Sequence, residues 1–551
     1  MSGGEHAWWK EAIVYQIYPR SFRDSNGDGV GDLRGLIDRL DYVASLGVTA
    51  VWLNPIYGSP NDDNGYDISD YRAIQPEYGT LADFDELLAG LHRRGLKLVM
   101  DLVVNHSSDE HPWFRAARSS RDNPYRDYYH WWPAERGTPP DRYSFFDVAN
   151  DAWAYDAATD SYYLHYFSRK QPDLNWENPR LRAEVKDIMR YWLDRGVDGF
   201  RLDAFQYVGK DPAFPPLPPG YAENIVAAYG LRYRVHDYLR ELRAGVMDHY
   251  DAFTVAEGAG SSFQDAVDLS APGRRELDMV YHFEIADYVR PAEDGYDLVG
   301  LKALFTEWDR ALAGRGWNSI YLGNHDVPRM VSKYGDDRPE HRAASAQCLN
   351  TLLLTLRGTP YTYFGDELGL ANAGFTTIRE YRDIEALNGY RRARARGEDQ
   401  DAYLDRLART SRDNARTPLP WTAGPAAGFT TGTPWIAVNA DYRTVNVAAQ
   451  EADPASCLHH FRRLTALRRA HPLLVYGDYE PLAEDHPQLF AYARRRGAAR
   501  MLVAMNWSDR PARLALPEEF RNARRLVDNG RCAAPAGAGL ELGPWGAAVL
   551  G

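Results

Sequence analysis

Acidic side chains stand at the ends of four short apolar segments of this sequence. The four groups occupy residues 101–106, 199–203, 254–257 and 324–326. If the segments are parallel strands of one barrel, their ends converge and bring together the carboxylates of Asp203, Glu257 and Asp326. Such a set suits glycoside hydrolysis with retention of configuration. In that reaction one carboxylate attacks the sugar, and a carboxylic acid about 5–5.5 Å away protonates the leaving oxygen.

A cation accompanies the first of these acids. Arg201 lies two residues before Asp203, so a strand directs both side chains to the same face. A nearby arginine keeps a carboxylate ionised for attack, whereas burial and like charges raise the pKa of a second carboxylic acid and keep it protonated. An isolated Arg-x-Asp is usually a structural ion pair. Four acidic or histidine-bearing strand ends in order favour the catalytic interpretation.

The segments that carry these residues alternate with longer amphipathic stretches. Continuous apolar runs separated by helical segments are typical of a parallel sheet covered by helices, and eight such units predict an α/β fold, the (β/α)8 TIM barrel. The expected strands cover residues 13–18, 50–53, 96–103, 199–203, 253–257, 279–283, 319–323 and 361–364. Expected helices between them include residues 33–45, 81–93, 179–195 and 338–356.

Two regions depart from this alternation. After the third strand, about 70 residues rich in aromatic side chains show no clear helix, which predicts a subdomain inserted over the barrel mouth rather than a loop. Short turn-bounded segments near the end predict a C-terminal antiparallel β-domain. The expected division is a catalytic barrel of residues 1–104 and 175–471, an inserted subdomain of residues 105–174 and a C-terminal β-sandwich of residues 472–551.

The composition excludes several other classes of protein. The 551 residues carry 64 Lys and Arg against 77 Asp and Glu, and the net charge of −13 disfavours nucleic acid and anionic membranes as partners. Three scattered cysteines make neither a disulfide framework nor a zinc site. No apolar run is long enough to span a bilayer and the start lacks a leader pattern, so we expect a cytoplasmic protein. Aromatic residues make up 13% of the chain, and their faces can line sugar sites as well as fill cores.

These motifs make the sequence resemble glycoside hydrolase family 13, the α-amylase family, along almost the whole chain. Residues 101–106, 199–203, 257 and 324–326 match the family's four signature regions in order and spacing. The resemblance implies a nucleophile, a general acid and base, and a residue that stabilises the transition state, which are Asp203, Glu257 and Asp326 respectively. It also implies sugar contacts by three further side chains, Arg201, His106 and His325.

A closer resemblance is to the oligo-1,6-glucosidase and α-glucosidase branch of this family. Its hallmarks here are residues 62–67 (Asp-Asp-Asn-Gly-Tyr-Asp), 171–176 (Gln-Pro-Asp-Leu-Asn-Trp) and 412–418 (Arg-Asp-Asn-Ala-Arg-Thr-Pro). By this resemblance Asp67 and Arg412 hold the same non-reducing glucose, which closes the pocket and implies action from the chain end. The alternatives are a turn residue for Asp67 and a structural salt bridge for Arg412. Further side chains expected around the first sugars, with core packing as their alternative role, are Tyr66, Phe146, Phe167 and Gln171.

The residue after the nucleophile correlates with linkage in this branch. Valine accompanies α-1,6 preference, and smaller residues or threonine accompany α-1,4 preference. Here it is Ala204, so the resemblance implies a retaining, exo-acting α-glucosidase of short α-glucosides that prefers α-1,4 links, with transglucosylation as a side reaction. The alternatives are an oligo-1,6-glucosidase, a sucrose isomerase or sucrose-acting glucosyltransferase, a trehalose synthase and a non-catalytic transporter subunit. The expected partner is a small oligosaccharide substrate, and the oligomeric state stays open.

A loop after the first strand offers oxygen ligands at alternate positions. The oxygen-bearing side chains flank Gly29, which permits a sharp turn, and this pattern suits a hard cation. The glutamate that completes an EF-hand is absent, because Gly35 stands in its place. We expect a structural Ca²⁺ ion, with Mg²⁺ as an alternative cation and a turn of solvated carboxylates as the alternative without metal. The resemblance implies as ligands Asp24, Asn26, Asp28, Asp32 and the carbonyl of Val30.

Overall fold

A computed structural model describes residues 6–147, 151–287, 297–533 and 538–551 of the protein. Its strands in chain order are β1 (Val14–Ile17), β2 (Ala50–Leu53), β3 (Tyr57–Gly58), β4 (Asp70–Ile74), β5 (Lys97–Val103), β6 (Trp131–Pro133), β7 (Trp153–Asp156), β8 (Ser161–Leu164), β9 (Gly199–Asp203), β10 (Phe253–Glu257), β11 (Met279–Tyr281), β12 (Ser319–Ile320), β13 (Thr359–Tyr363), β14 (Asp478–Leu482), β15 (Leu489–Arg496), β16 (Ala499–Asn506), β17 (Ala512–Ala515), β18 (Arg525–Asp528), β19 (Gly539–Leu542) and β20 (Ala547–Leu550).

The α-helices in chain order are α1 (Trp8–Glu11), α2 (Leu33–Ile37), α3 (Leu40–Ser45), α4 (Leu81–Arg93), α5 (Pro112–Ala117), α6 (Pro179–Arg195), α7 (Ile225–Tyr229), α8 (Val235–Gly245), α9 (Phe263–Ser270), α10 (Glu284–Asp287), α11 (Leu298–Leu312), α12 (Met330–Tyr334), α13 (Arg342–Thr355), α14 (Ile384–Ala395), α15 (Gln400–Thr410), α16 (Val447–Glu451), α17 (Cys457–Ala470) and α18 (Leu473–Tyr476).

Eight parallel strands form the barrel that the sequence predicts. Their hydrogen-bonded order is β11-β10-β9-β5-β2-β1-β13-β12, and every neighbouring pair runs parallel. A parallel bridge between Val280 of β11 and Asn318, next to β12, joins the two ends of the sheet. The strands are buried along nearly their whole length. This burial on both faces explains their continuous apolar sequence.

Local signals decide where the covering helices begin and end. Before α4, the Thr80 hydroxyl accepts the Asp83 N–H while the Asp83 carboxylate accepts the Thr80 N–H, which makes a capping box. Helix α6 begins with Pro179 in its first turn and ends at Gly196, which has the left-handed conformation. Both helices have the bounds that the sequence pattern predicts.

Two expectations about helices are wrong in detail. The predicted helix 33–45 is two helices, α2 and α3, because Arg39 between them has non-helical dihedral angles. The region after β5, where the sequence pattern shows no clear helix, contains the short helix α5. Pro112 opens its first turn, and the His111 ring accepts the Trp113 N–H at 3.1 Å.

The long connection after β5 carries a small sheet of its own. Its three antiparallel strands lie in the order β6-β8-β7, and residues 148–150 of this connection lie outside the described ranges. Side chains of this sheet share a buried apolar cluster with the turn that follows β9, including Trp132, Trp153, Tyr166 and Tyr207. The sheet therefore packs at the carboxyl ends of the barrel strands.

The C-terminal region forms the expected antiparallel sheet. Five strands lie in the order β14-β15-β16-β20-β18, and β17 pairs with β19. A buried lysine fastens this region to the barrel, because Lys302 of α11 donates to the carbonyl oxygens of Ala483, His486 and Leu489. The domain boundaries after residues 104, 174 and 471 stay predictions.

In the part of the chain that the structure describes, no helix has the length and apolarity needed to cross a bilayer. Its cysteines, Cys348, Cys457 and Cys532, are buried free thiols.

Candidate active site

The candidate catalytic residues lie at the carboxyl ends of barrel strands. Asp203 ends β9, Glu257 ends β10 and Asp326 follows β12. Because the strands are parallel, these side chains meet on one rim of the barrel. A cavity of about 890 Å³ opens at the other rim, around Asp278 and Trp317, and none of the candidate residues lines it. Buried ionisable groups, rather than the size of a cavity, therefore mark the candidate site.

Arg201 holds the acidic residues together. Its guanidinium lies 2.7 Å from the Asp101 carboxylate, 2.5 Å from that of Asp203 and 2.5 Å from that of Glu257, and its side chain is 1% exposed. Burial opposes the charge of Arg201, but the three carboxylates hold its pKa well above the ordinary value. One positive charge thus faces three carboxyl groups away from water.

This imbalance favours a proton within the cluster. Burial raises the pKa of Asp203 well above its ordinary value; Arg201 lowers this pKa, whereas Glu257 and Asp101 raise it further. Burial also raises the pKa of Asp101 to about 6, against the opposing effect of Arg201. Because like charges at close range in a buried site do not all stay ionised, the cluster can supply the protonated carboxylic acid that glycoside hydrolysis requires.

The Glu257 carboxylate is held at both of its oxygens. Oε1 faces Arg201, and Oε2 accepts the backbone N–H of Ala204 at 3.0 Å. Ala204 has the left-handed conformation, with φ 45° and ψ 22°, and this conformation turns the chain directly after Asp203. A small side chain suits this position, because β-branched and bulky residues are strained there.

His325 and Tyr66 pack together beside the acidic residues of the site. Their rings stack with centroids 5.2 Å apart, and the Tyr66 hydroxyl lies 2.6 Å from His325 Nε2. The Gln16 amide nitrogen donates to His325 Nδ1 at 2.9 Å. Because Nδ1 accepts this hydrogen bond, the ring proton of His325 is on Nε2. Nε2 lies 3.0 Å from the Asp326 carboxylate. Burial lowers the pKa of His325 to about 4, so the ring is a neutral hydrogen-bond donor.

His106 lies beside Tyr66 in the wall of the site. Its Nε2 is 3.1 Å from the Tyr66 carbonyl oxygen, and its ring centroid is 5.1 Å from that of Phe167. Burial lowers the pKa of His106 to about 3, so this ring is also neutral. Gln171 is buried next to it, with the amide nitrogen 3.3 Å from His106 Nε2. The Phe146 ring packs against Phe167 at 5.4 Å.

A second ion cluster surrounds Asp326. Arg412 lies 3.0 Å from Asp326, 3.1 Å from Asp63 and 2.6 Å from Asp383. Arg416 lies 3.0 Å from Asp326 on the same oxygen. Burial would raise the pKa of Asp326, but the neighbouring histidine and the two arginines hold it well below its ordinary value. Asp326 is therefore ionised, although it shares a pocket with the proton-binding cluster around Arg201.

The structure corrects the position of Asp67. From the sequence, Asp67 is expected beside Arg412, but Asp63 occupies that place. The Asp67 carboxylate is fully buried and turns into its own loop, where it accepts the backbone N–H groups of Asp62 and Asp63 and the Ser59 hydroxyl. Asp67 thus stabilises the loop, and Asp63 is the carboxylate that meets the arginine.

Several buried residues of the site have no assigned role in the sequence interpretation. Asp63, Asp101 and Arg416 lie inside motifs that also contain residues which the family resemblance implies as functional. Their positions in these motifs are the sequence signal that points to them. Asp383 lies outside every motif and joins the site through its contacts with Arg412 and Arg416. No local pattern could have found it.

The loop of residues 24–32 is closed by its own hydrogen bonds. Asp24 accepts three backbone N–H groups of the loop and the Thr430 hydroxyl, which uses the acceptor capacity of a carboxylate. Asn26 and Asp28 each accept a single N–H and retain capacity for a cation, whereas Asp32 caps α2. Among the described residues, no three Asp, Glu, His or Cys side chains converge as a metal-binding group. The fit to a cation is therefore partial.

Known proteins are similar to this chain in sequence and in fold. Residues 16–477 match the family model of the alpha amylase catalytic domain. An oligo-1,6-glucosidase of Parageobacillus thermoglucosidasius is 48% identical over 542 residues, which cover 95% of both chains. An alpha-glucosidase of Pediococcus pentosaceus is 45% identical over 517 residues, which cover 91% of this chain and 92% of the relative. The crystal structure of the trehalulose synthase MutB from Pseudomonas mesoacidophila MX-45 matches with a TM-score of 0.95 and 44% identity over 99% of each chain.

Asp67→Asn should change how stability depends on pH. Burial raises the pKa of Asp67 from 3.8 to about 6. The folded protein therefore keeps a proton that the unfolded chain loses, so this residue makes stability fall as pH rises from about 4 to about 6. Asparagine removes the titration. The melting temperature of the variant, measured by calorimetry in a pH series, should fall less steeply over this window than that of the wild type.

Asp122→Asn is the matched control, because it removes the same charge from an exposed side chain. A pH profile of Asp67→Asn that runs parallel to the profile of this control would contradict the buried, proton-binding state of Asp67.

Proposed function

The chain belongs to the alpha-amylase family of glycoside hydrolases, and we propose that it is a retaining α-glucosidase that releases glucose from the non-reducing ends of short α-glucosides. One observation carries this proposal. Arg201 contacts both Asp203 and Glu257, which end adjacent strands. A retaining glycosidase needs two carboxyl groups that face one glycosidic bond, and this contact supports such a pair.

In the proposed reaction, Glu257 protonates the glycosidic oxygen while Asp203 attacks the anomeric carbon. The leaving sugar departs, and a glucosyl ester forms on Asp203. Glu257 then takes a proton from water, whose oxygen attacks the same carbon, frees α-glucose and restores the Asp203 carboxylate. The family resemblance supplies these roles. The ionised Asp326 can accept hydrogen bonds from ring hydroxyls.

We propose a pocket that closes behind one glucose unit. Arg412 joins Asp63 to Asp326, and the stacked rings of Tyr66 and His325 lie beside Asp326. These contacts support a blind pocket that admits a chain end rather than a chain interior. Asp63, not Asp67, is the proposed partner of Arg412 on the non-reducing sugar.

Asp203→Asn and Glu257→Gln test the mechanism. Each should lower kcat/KM by about 10³-fold or more, because one removes the attacking oxygen charge and the other removes the transferable proton. Maltose, isomaltose, sucrose and trehalose serve as substrates, and proton NMR identifies the first anomer that the wild type releases. Circular dichroism and melting temperature check that both variants fold. Initial release of β-glucose, or more than a small residual rate in Asp203→Asn, would refute the mechanism.

Two observations bear on the linkage preference. The small Ala204 side chain beside the nucleophile supports α-1,4 preference. The oligo-1,6-glucosidases among the relatives favour the α-1,6 alternative instead. We therefore propose a glucosidase that hydrolyses both links, in which Ala204 provides the room for an α-1,4-linked leaving sugar.

Ala204→Val should lower the ratio of kcat/KM for maltose to kcat/KM for isomaltose by about 10-fold, because one or two extra methyl groups change discrimination by roughly 1–3 kcal/mol. The ratio is the readout, since a β-branched residue in the left-handed conformation also lowers stability. Ala204→Gly is the control, because it relieves the backbone without adding volume and should preserve the ratio. An unchanged ratio in Ala204→Val would remove the proposed role of this residue.

Isomerisation of sucrose is a second candidate function. The solved trehalulose synthase, which shares the fold over nearly the whole chain, favours it. The sucrose arm of the substrate assay separates the two reactions. Hydrolysis yields free glucose and fructose, whereas isomerisation keeps both units in one disaccharide.

We also propose a structural Ca²⁺ ion in the loop of residues 24–32. The spare acceptor capacity of Asn26 and Asp28 supports this proposal, and the saturated Asp24 supports the alternative of a hydrogen-bonded turn without metal. Asp32 and the Val30 carbonyl complete the expected ligands. Mg²⁺ is the alternative cation.

Removal of the ion with a chelator should lower the melting temperature, because an ion that binds only the folded state stabilises it. Added Ca²⁺ should restore the melting temperature more fully than Mg²⁺ at equal concentration. Asp28→Ala should abolish the response, whereas Asp122→Ala should keep it. Metal content and melting temperature that both survive chelation unchanged would contradict the proposal.

Some expectations from the sequence stay predictions. These are the cytoplasmic location and the absence of nucleic-acid and membrane partners. An oligosaccharide substrate agrees with the glucosidases among the relatives.

A further inference from the structure

A buried lysine lies where three segments around the proposed pocket meet. Lys210 is 4% exposed. Its ammonium donates to the Asn105 side-chain oxygen at 2.8 Å and to the Tyr207 carbonyl at 2.7 Å. The same group lies 3.2 Å from the Asp173 carboxylate. It therefore links the end of β5, the turn after β9 and the inserted segment that returns to the barrel.

Asp173 completes this network. It is fully buried, and its Oδ1 accepts the Asn105 amide and the Tyr166 N–H, both at 3.3 Å. Burial raises the pKa of Asp173 to about 6 against the opposing effect of Lys210. Burial lowers the pKa of Lys210 against the opposing effect of Asp173. Each group thus stabilises the charge of the other inside the protein.

The network reaches the proposed sugar contacts on two sides. Because the Asn105 oxygen accepts from Lys210, its amide nitrogen faces His106 Nδ1, at 3.2 Å. This contact leaves the ring proton of His106 on Nε2. On the other side, a β-bridge pairs His106 with Asp173, which lies two residues after Gln171.

We infer that Lys210 is a positioning residue of the proposed sugar pocket, which holds His106 and Gln171 in place through Asn105 and Asp173. This inference rests on the proposed function, because it takes His106 and Gln171 as glucose contacts. Such contacts hold the sugar in the ground state and in the transition state alike. The loss of Lys210 therefore raises KM more than it lowers kcat.

Lys302 offers a matched comparison for a purely structural role. Lys302 is also 4% exposed, and its ammonium also has three oxygen acceptors, which are carbonyls of the C-terminal region. It lies on α11, and all three of its acceptors belong to the C-terminal region rather than to a segment around the proposed pocket. Loss of either lysine leaves buried acceptors unpaired and lowers stability, but only the loss of Lys210 should weaken sugar binding.

The test compares Lys210→Met with Lys302→Met in the full chain, on whichever of maltose and isomaltose the wild type hydrolyses faster. Lys210→Met should raise KM by about 10-fold or more with kcat changed by less than about threefold. Glucose binding, measured by calorimetry, should weaken in parallel. Lys302→Met should lower the melting temperature and leave KM and glucose affinity unchanged. A wild-type KM and glucose affinity in Lys210→Met would overturn the inference.

Two further variants keep the test decisive. Lys210→Gln is the substitute if Lys210→Met does not fold, because the glutamine amide can still donate hydrogen bonds within the network. This variant should bind glucose at least about threefold more weakly than the wild type. Wild-type glucose affinity in Lys210→Gln would overturn the inference.

Lys210→Met combined with Asp173→Asn removes the unpaired charge. The double variant should regain the wild-type melting temperature but not the wild-type glucose affinity. If it regains both, the weaker glucose binding of Lys210→Met comes from the unpaired charge of Asp173, and the inference is overturned.

The same data separate failure of the inference from failure of the proposed function. A wild-type protein that hydrolyses none of the four α-glucosides refutes the proposed function and the inference built on it. A wild-type protein that hydrolyses them, together with a Lys210→Met variant of unchanged glucose affinity, refutes only the role of Lys210.

Discussion

The guanidinium of Arg201 faces the carboxyl groups of Asp101, Asp203 and Glu257 in the interior of the barrel rim. Carboxylates taken out of water are costly unless they are paired or protonated. The barrel satisfies this constraint by presenting the three acids to one cation from the adjacent strands β5, β9 and β10, and by favouring a proton in the cluster. The contacts that make the rim stable therefore also favour a proton shared among these three acids.

Asp326 faces the opposite electrostatic environment in the same pocket. Two arginines and a histidine surround it and keep it ionised, whereas the cluster around Arg201 favours proton binding. Environments that push the pKa values of neighbouring carboxyl groups apart are how one site can hold both an acid and a base. The arginines, Arg412 and Arg416, follow α15, so their contacts with Asp326 also tie that late segment to the strand ends.

Much of this arrangement can be predicted from local sequence. The eight apolar runs predict the barrel because strands buried on both faces have no polar alternation. The bounds of α4 and α6 follow from their caps and from their amphipathic spacing. The sequence predicts Asp203 and Glu257 as site residues because each ends such a run, and parallel strands bring their ends to one rim. In contrast, the periodic pattern does not predict the interruption at Arg39 or the short helix α5, because each spans too few residues to give a periodic signal.

Local sequence is sufficient to predict the barrel, the acids at its strand ends and the family, because each depends on motifs of residues close together along the chain. The choice between Asp63 and Asp67 depends on the three-dimensional path of their loop. These two residues share a type and a loop, and the path of the loop turns Asp67 toward its own backbone N–H groups while Asp63 meets Arg412. Only the tertiary structure placed Asp383 in the site and Lys210 against Asp173. Such pairs join residues far apart in the chain, and a contact across that distance leaves no periodic trace in the sequence.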